Sequence, residues 1–383
     1  MERPAFSQEL SATEFGRWYW LKSELVEACR LLRVSPTGSK PELTARIFAA
    51  LSGTALPGVA PRRISGAMPT RFTLDTRIGK LQVIDGGLAT ELSRLGMDLS
   101  DNLWSARVLL EAPDAIEQVH VEYFRAGADI AITSSYQASY DGFAARGLNA
   151  EATTAVLRRS VALAQSARRR VMREQPELTR ALLVAASVGP YGAVLHDGSE
   201  FRGDYALGEA ALVDFHRERF AVLADAGADL LACETIPSRT EAAALVRLLS
   251  EHSHAKAWIT FSCRDGRHTA AGDAIAECAR WLDSVPQVVG IGVNCVAPEW
   301  VESLIGEIKT GTDKPIVVYA NSGETWDAEA RCWRGEADRF TTYLPRWLDA
   351  GARWIGGCCR TTPEDIRSVR AEVDAFGERS ARR

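Results

Sequence analysis

From residue 80 onwards, short hydrophobic runs typical of buried strands alternate with longer stretches in which apolar residues recur at helical spacing. The runs that predict strands are Leu81–Asp85, Asp129–Ser134, Leu182–Val188, Leu230–Cys233, Ala257–Phe261, Val288–Val293, Pro315–Tyr319 and Arg353–Ile355. Strands that alternate with helices predict an α/β fold with a parallel sheet. A doubly wound open sheet is the competing architecture, but the count of eight favours a (β/α)8 TIM barrel.

A four-residue motif repeats where predicted helices meet the strands that follow them. It reads Ala-Gly-Ala-Asp at residues 126–129 and 226–229, and Ala-Gly-Ala-Arg at residues 350–353. The glycine is the residue expected to end each helix in a left-handed conformation. The repetition indicates that one helix-to-strand unit recurs around the fold, which supports the barrel.

Residues 1–53 follow a different pattern, which predicts a small all-α helix-loop-helix module in front of the barrel. Apolar residues at helical spacing indicate two helices, one with Leu21, Leu25, Cys29 and Leu32 and the other with Leu43, Ile47 and Leu51. Ser39, Pro41 and Glu42 form a capping box with a proline in the first turn, which marks the start of the second helix. Residues 54–77 are rich in proline and glycine and predict a linker, so we expect the barrel over residues 78–383.

Composition and charge exclude several classes of protein. The chain is 46% hydrophobic and 25% charged, as is ordinary for globular domains. Its net charge of −5 gives no global electrostatic reason to bind nucleic acid or an anionic membrane. Residues 1–10 carry charged side chains without an apolar core, and no apolar run reaches the roughly 18 residues of a membrane span. We therefore expect a cytoplasmic protein without a membrane partner.

Three cysteines follow predicted strands at their carboxyl ends, where a barrel of this kind carries its catalytic groups. Cys295 follows the sixth strand, and Cys358 and Cys359 follow the eighth, so we expect three thiols at one rim. Three thiolates predict a tetrahedral zinc site with one open position, which is the catalytic pattern. The alternatives are that they are small buried hydrophobic residues, or that the adjacent pair forms a vicinal disulfide. We expect buried structural roles for the other five cysteines: Cys29, Cys233, Cys263, Cys278 and Cys332.

Two acidic residues also stand at strand ends. Glu234 follows the apolar fourth strand, and a carboxylate in such a place needs a partner, either the ammonium of an amino-acid substrate or an arginine from a neighbouring loop. Asp85 ends the first strand, and its alternative role is to cap the helix that follows Gly86 and Gly87. Both residues are therefore candidates for binding the ammonium of an amino-acid substrate, with an arginine partner and a helix cap as the alternatives.

Longer segments around these residues keep their order over nearly the whole predicted barrel. They read IDGGLATEL, LWSARVLLEAPDAI, SSYQAS, AASVGPYGA, HDGSEFRGDY, LLACETIP, FSCRDGRHTA, GVNCVAPE, YANSGETWDA and GGCCRTTPEDI. On these segments the chain, from about residue 80 to 372, resembles the homocysteine S-methyltransferase family, and specifically its S-methylmethionine-using branch.

The resemblance implies a barrel in which Cys295, Cys358 and Cys359 hold a catalytic zinc ion (Zn2+). It also implies that Asp85 and Glu234 bind the amino group of homocysteine. The other residues that it implies at the substrate are Gly86, Gly87, Thr133 and Asn294. The chain departs from the pattern at Ala320, where similar sequences usually have proline, and this would loosen the loop after the seventh strand.

The resemblance and the residue types together suggest a mechanism without a general acid. A free thiol is only about 3% thiolate at pH 7, so coordination to zinc would supply the missing ionisation. The homocysteine sulfur would then attack the methyl carbon of a sulfonium in line, and the donor sulfur would leave as a neutral thioether. This agrees with the absence of histidine from the strand-end motifs, where His196 and His268 are the nearest candidates.

The resemblance favours S-methylmethionine as the methyl donor, with S-adenosylmethionine as a second sulfonium. Betaine is disfavoured because the segments match the sulfonium-using branch, and cobalamin because no Asp-x-His-x-x-Gly motif is present. Selenocysteine or another small thiol remains open as an acceptor beside homocysteine.

Residues 18–51 resemble a SAP-type module, a fold that is often associated with DNA. Residues 1–60 contain seven Lys or Arg against six Asp or Glu, whereas a surface that follows phosphates should be clearly basic. We therefore favour a packing or partner-docking role over DNA binding. The alternative function for the whole chain is a DNA-associated or scaffold protein that is recruited by this module and uses the barrel to sense thiols.

Overall fold

The computed structural model describes residues 80–97, 105–327, 332–334 and 340–381 of the barrel, together with residues 22–32 and single positions between 6 and 51. The chain divides into two compact units, Met1–Arg71 and Phe72–Arg383. The division falls within the predicted linker, residues 54–77, which lies outside the described residues. The domain boundaries proposed from the sequence therefore stay predictions.

Eight parallel strands form the barrel of the second unit. They are β1 (Gln82–Val83), β2 (Ile130–Ile132), β3 (Leu183–Val188), β4 (Leu230–Ile236), β5 (Ala257–Phe261), β6 (Val288–Asn294), β7 (Ile316–Ala320) and β8 (Ala352–Gly357). Neighbouring strands pair in chain order from β2 to β8, and β8 pairs with β1. A parallel bridge between Ile84 and Ile130 joins β1 to β2 and closes the ring. The predicted (β/α)8 barrel is confirmed, and the open sheet is excluded.

Helices connect and surround the strands. The one described helix of the first unit is α1 (Lys22–Leu31). Those of the second unit are α2 (Leu88–Arg94), α3 (Ser105–Glu111), α4 (Pro113–Ala126), α5 (Tyr140–Ala144), α6 (Ala150–Glu174), α7 (Tyr191–Leu195), α8 (Glu209–Ala224), α9 (Arg239–Glu251), α10 (Ile275–Asp283), α11 (Pro298–Lys309), α12 (Leu344–Ala350) and α13 (Pro363–Ala381), with 3-10 turns at Ser199–Phe201 and Phe340–Tyr343. A short antiparallel ribbon, Thr325–Asp327 with Cys332–Arg334, follows β7. None of the described helices combines the length and apolar character needed to cross a membrane.

Alternate residues of each strand face two different cores. Inside the ring, Trp258 makes edge-to-face contacts with Trp354 and Tyr319, at centroid distances of 5.9 and 6.2 Å. The other side of the strands packs against the surrounding helices in a larger apolar cluster. These aromatic residues belong to a packed core that fills the ring. The polar strand ends therefore lie above a closed hydrophobic layer and not above an open channel.

The repeated Ala-Gly-Ala-Asp motif has a structural role at the start of two strands. The Asp129 carboxylate accepts a hydrogen bond from the Val83 amide at 2.8 Å, and the Asp229 carboxylate accepts one from the Val184 amide at 2.8 Å. Each aspartate therefore ties its own strand to the preceding one in the ring. Gly127 has φ of 118° and ends α4 as predicted.

The described residues of the first unit form their own small core. Leu25 and Cys29 of α1 are buried with Leu43 and Ile47, which are the positions predicted to form the apolar faces of two helices. The capping-box residues Ser39, Pro41 and Glu42 lie outside the described residues. The similarity to a SAP-type module stays a prediction.

Candidate active site

The three predicted cysteines meet at the carboxyl rim of the barrel. Cys295 directly follows β6, and Cys358 and Cys359 directly follow β8. The three sulfur atoms all lie within 4.8 Å of one another, and the Sγ atoms of Cys295 and Cys359 are 3.5 Å apart. Sulfurs bound to one zinc ion at about 2.3 Å in tetrahedral geometry would be roughly 3.8 Å apart. The cluster therefore has the donor type and spacing that zinc requires.

No other cluster of potential metal ligands occurs among the described residues. Cys29, Cys233 and Cys278 are buried in the hydrophobic cores, and Cys263 is half-buried at the end of β5. The side chain of Cys332 lies outside the described part of the chain. The structure thus distinguishes the three cysteines that meet at the rim from the described cysteines that pack in the hydrophobic cores.

The backbone around β7 positions all three sulfurs. The Cys295 amide donates to the Tyr319 carbonyl at 3.0 Å, and the Cys358 amide donates to the Ala320 carbonyl at 2.8 Å. The Cys359 carbonyl accepts from the Ser322 amide at 3.1 Å. Ala320, the departure from the family pattern, is buried and takes part in this network.

Close packing changes the acidity of the thiols. Hydrogen bonds from Cys295 and Cys358 lower the pKa of the Cys359 thiol well below its usual value. Hydrogen bonds with Cys358 and Cys359, together with burial, raise the pKa of Cys295. The thiols therefore differ in acidity, and a bound cation would be needed for all three sulfurs to be anionic at once.

Glycines let the end of β1 approach the end of β8. A Cβ atom on Gly87 would lie 2.7 Å from the Cys358 carbonyl oxygen, and one on Gly86 would lie 2.8 Å from Thr361 Oγ1. Thr361 accepts from the Gly87 amide at 3.1 Å and donates to the Cys358 carbonyl at 2.8 Å. The hydroxyl of Tyr123 donates to the Gly87 carbonyl at 3.1 Å. Sequence reasoning missed Thr361 and Tyr123, which hold these two strand ends together.

The predicted carboxylates are buried beside the thiols. Asp85 is 3% exposed and accepts from the Ile132 amide at 2.9 Å, while Glu234 is 7% exposed and accepts from the Ser187 hydroxyl. Burial raises the pKa of Glu234 to about 8, and the Cys358 sulfur adds to the rise. Burial also raises the pKa of Asp85 well above its usual value, and the charge of Glu234 adds to it. Neither carboxylate pairs with an arginine of the described residues, so the site favours a cationic ligand.

Thr133 and Asn294 are buried at neighbouring strand ends with their polar groups bonded to the protein. Thr133 accepts from the Ser187 amide at 3.0 Å. Asn294 accepts from the Thr235 amide at 2.7 Å and donates to the Thr235 hydroxyl at 2.8 Å. Thr235 has φ of 60°, an unfavourable conformation that these two bonds stabilise just after Glu234. These contacts hold Ser187, which donates to Glu234, and Thr235, which follows it in the chain. Direct binding of substrate by Thr133 or Asn294 stays a prediction.

Comparison with known proteins agrees with this arrangement. The family model "Homocysteine S-methyltransferase" matches residues 82–373. The chain is 50% identical over 307 residues to homocysteine S-methyltransferase YbgG of Bacillus subtilis (79% of this chain, 97% of the relative), and 47% identical over 306 residues to homocysteine S-methyltransferase of Escherichia coli (79% and 98%).

A solved structure agrees with these matches. The metallated form of the homocysteine methyltransferase MmuM from Escherichia coli aligns with a TM-score of 0.71 and 46% identity, covering 78% of this chain and 98% of MmuM. About a fifth of the chain lies outside each match, whereas the relatives are matched almost completely. With the barrel, its rim and its sequence all in agreement, the chain belongs to the homocysteine S-methyltransferase family.

Proposed function

We propose that this enzyme transfers a methyl group from the sulfonium donor S-methylmethionine to the thiol of homocysteine, and that the reaction requires zinc. The observation that carries the proposal is the convergence of Cys295, Cys358 and Cys359 beside two buried carboxylates. Thiolates select zinc over magnesium or calcium, and three of them leave one position of a tetrahedral ion for the substrate.

The described side chains divide the work between metal and substrate. Cys295, Cys358 and Cys359 would hold the ion, and Asp85 and Glu234 would bind the ammonium of homocysteine. When bound, zinc would lower the pKa of a coordinated thiol and provide a thiolate at neutral pH. The carboxylates fix the amino end of the substrate, so its sulfur points at the methyl carbon of the donor.

The bonds that form and break in the transfer explain why the reaction needs no general acid at the rim. The homocysteine sulfur forms the new bond to the methyl carbon, and the donor sulfur keeps the electron pair of the old bond. The thiol proton of homocysteine would pass to solvent before the transfer. The donor then departs as a neutral thioether, so no proton has to be delivered to it. His120 and His216 are fully buried, and His268 pairs with Asp265 at 3.0 Å; none is assigned a role.

The test is the metal content of purified protein together with a donor panel. We expect one zinc per chain in the wild type, and loss of zinc with at least about 100-fold lower activity in Cys358→Ser. Cys263→Ser, which changes a half-buried thiol outside the cluster, is the matched control and should keep both. Full zinc and full activity in Cys358→Ser would refute the metal assignment.

The donor panel contains S-methylmethionine, S-adenosylmethionine and betaine, each assayed with homocysteine before and after chelation. We expect the highest kcat/KM with S-methylmethionine, and loss of activity with the chelator that added zinc restores. Faster transfer from betaine would refute the sulfonium assignment. No observation favours the DNA-associated alternative, and the curated relatives are named as enzymes.

A further inference from the structure

An ion pair joins the loop after β7 to the loop after β8, beside the proposed metal ligand Cys359. The Arg360 guanidinium donates through Nε to the Oε2 atom of Glu324 at 2.9 Å. The same oxygen accepts a hydrogen bond from the Ser322 hydroxyl at 2.9 Å. The Glu324 side chain is 12% exposed and that of Arg360 is 46% exposed, so the carboxylate is the shielded member of the pair. Neither residue has a part in the roles assigned so far.

The two partners of Glu324 hold Cys359 from both sides. The Ser322 amide donates to the Cys359 carbonyl at 3.1 Å, and Arg360 directly follows Cys359 in the chain. The contacts therefore form a closed ring that runs from Cys359 through Ser322, Glu324 and Arg360 back to Cys359. The Sγ atom of Cys359 lies 3.5 Å from that of Cys295, close to the spacing that a shared zinc ion would require. A shift of the Cys359 backbone would have to break this ring or move all of it.

Arg360 has a backbone conformation in which glycine is the expected residue. Its φ is 68°, in the left-handed region. Its amide donates to the Thr90 hydroxyl at 3.0 Å, which ties the same turn to α2. A residue with a side chain is strained in this region, and such strain tends to occur where the surrounding structure and the function require it. The contact with Glu324 is one that glycine could not make.

We propose that Glu324 and Arg360 are positioning residues for Cys359, and that their ion pair fixes its backbone where the three sulfurs can share one zinc ion. This inference rests on the proposed function. Both residues would act indirectly, because neither belongs to the cluster of potential metal ligands found among the described residues. Partners that orient metal ligands from outside the coordination sphere typically change metal affinity or activity by roughly 10- to 100-fold when they are removed.

A purely structural role for the pair predicts a different result. Partly exposed ion pairs contribute little to the stability of a folded protein. Loss of a positioning pair should therefore leave the chemical unfolding midpoint of the metal-free protein almost unchanged, while the affinity for zinc falls. A structural pair would instead lower that midpoint and leave the zinc affinity of the folded protein as it is.

The experiment measures the Kd of zinc by competition with a chelating dye, using the full chain. It compares wild type with Glu324→Gln, Arg360→Ala and the double variant. Arg360→Ala keeps a Cβ atom at the φ of 68°, so it removes the guanidinium without relieving the backbone. We expect each single variant to bind zinc at least about tenfold more weakly. The double variant should lose no more than either single variant, because two residues of one ion pair act as a unit.

Glu307→Gln is the matched control. Glu307 accepts from Nε of Arg267 at 2.8 Å, in a pair that joins the loop after β5 to α11 and is not part of the ring around Cys359. The substitution removes the same charge from the same kind of contact. Its zinc Kd and its unfolding midpoint should both stay close to those of wild type, with the Kd within about twofold.

Two results would overturn the inference: zinc affinity within about twofold of wild type in both single variants, or losses that add up in the double variant. If one single variant does not fold, the other still breaks the same ion pair and gives the same test. A wild type that binds zinc but transfers no methyl group would refute the proposed function alone, because the affinities can still be compared. A wild type that binds no zinc would refute the zinc site and this inference together.

Discussion

Glu234 and Asp85 are buried acids that have no arginine partner within the part of the chain that the structure describes. Burial costs both carboxylates more than the hydrogen bonds that they accept can offset, so both have raised pKa values. A carboxyl group in that state gains most from a ligand that brings its own positive charge. The pH dependence of ligand binding should therefore report on these residues.

We predict that methionine, which carries the ammonium but no ionisable thiol, binds more tightly as the pH rises from 6 to 8. Because the pKa of Glu234 is raised to about 8, the carboxylate needed for binding is a minor form at pH 6. Affinity should increase by on the order of tenfold per pH unit below this pKa and then level off. In Glu234→Gln the binding free energy of methionine at pH 8 should weaken by about 2 to 5 kcal/mol. The affinity should also lose most of its pH dependence. Calorimetric titration checks both, and wild-type affinity in the variant would exclude the ammonium assignment.

At the scale of elements, the contact between β6 and β7 supports the whole rim. The two strands pair in register, and Cys295 begins where β6 ends. Gly292 lies against Val317 so closely that a Cβ atom there would be 1.7 Å from the Val317 carbonyl oxygen. A methyl group cannot fit without separating the strands, so this glycine is required by packing.

We predict that Gly292→Ala destabilises the barrel by about 3 kcal/mol or more, the upper range for overpacking, or prevents folding. Gly306→Ala is the matched control, because Gly306 lies within α11 and a Cβ atom there meets nothing within 4 Å. That variant should be stabilised by about 0.5 to 1 kcal/mol. Chemical denaturation measures both. Equal stability of the two variants would contradict the packing argument.

At the scale of the whole molecule, the chain consists of two compact units. The chain divides at residues 71 and 72, and the matched relatives correspond to the second unit almost alone. The described core of the first unit is built from its own residues, including Leu25 and Ile47. The active-site groups discussed above all belong to the second unit.

We predict that Phe72–Arg383 alone keeps kcat/KM with homocysteine within about twofold of the full chain, since all the assigned side chains lie in that unit. Steady-state kinetics and the zinc content of the shortened protein, compared with the full chain, test this. A fall of more than about tenfold with normal zinc content would assign the first unit a part in catalysis.

The sequence was sufficient for features that depend on local periodicity and on the geometry of parallel strands. The eight strands could be predicted because each is a short apolar run, and the meeting of Cys295 with Cys358 follows from the common rim of a barrel. Thr361 and Asn294 show the limit of this reasoning. Their hydrogen bonds join residues that are far apart in the chain, and no periodic pattern specifies such pairs.

The anchoring of the cysteine backbones on β7 and on the loop that follows it has a consequence for how the protein would respond to the loss of the proposed zinc ion. The Tyr319 and Ala320 carbonyls and the Ser322 amide hold the backbones of the three proposed ligands. The barrel therefore already provides the order that a metal ion imposes on small domains that fold only when they bind it. We therefore expect the enzyme to stay folded when a chelator removes the ion. Recovery of activity would then depend on the cellular supply of the ion and not on refolding.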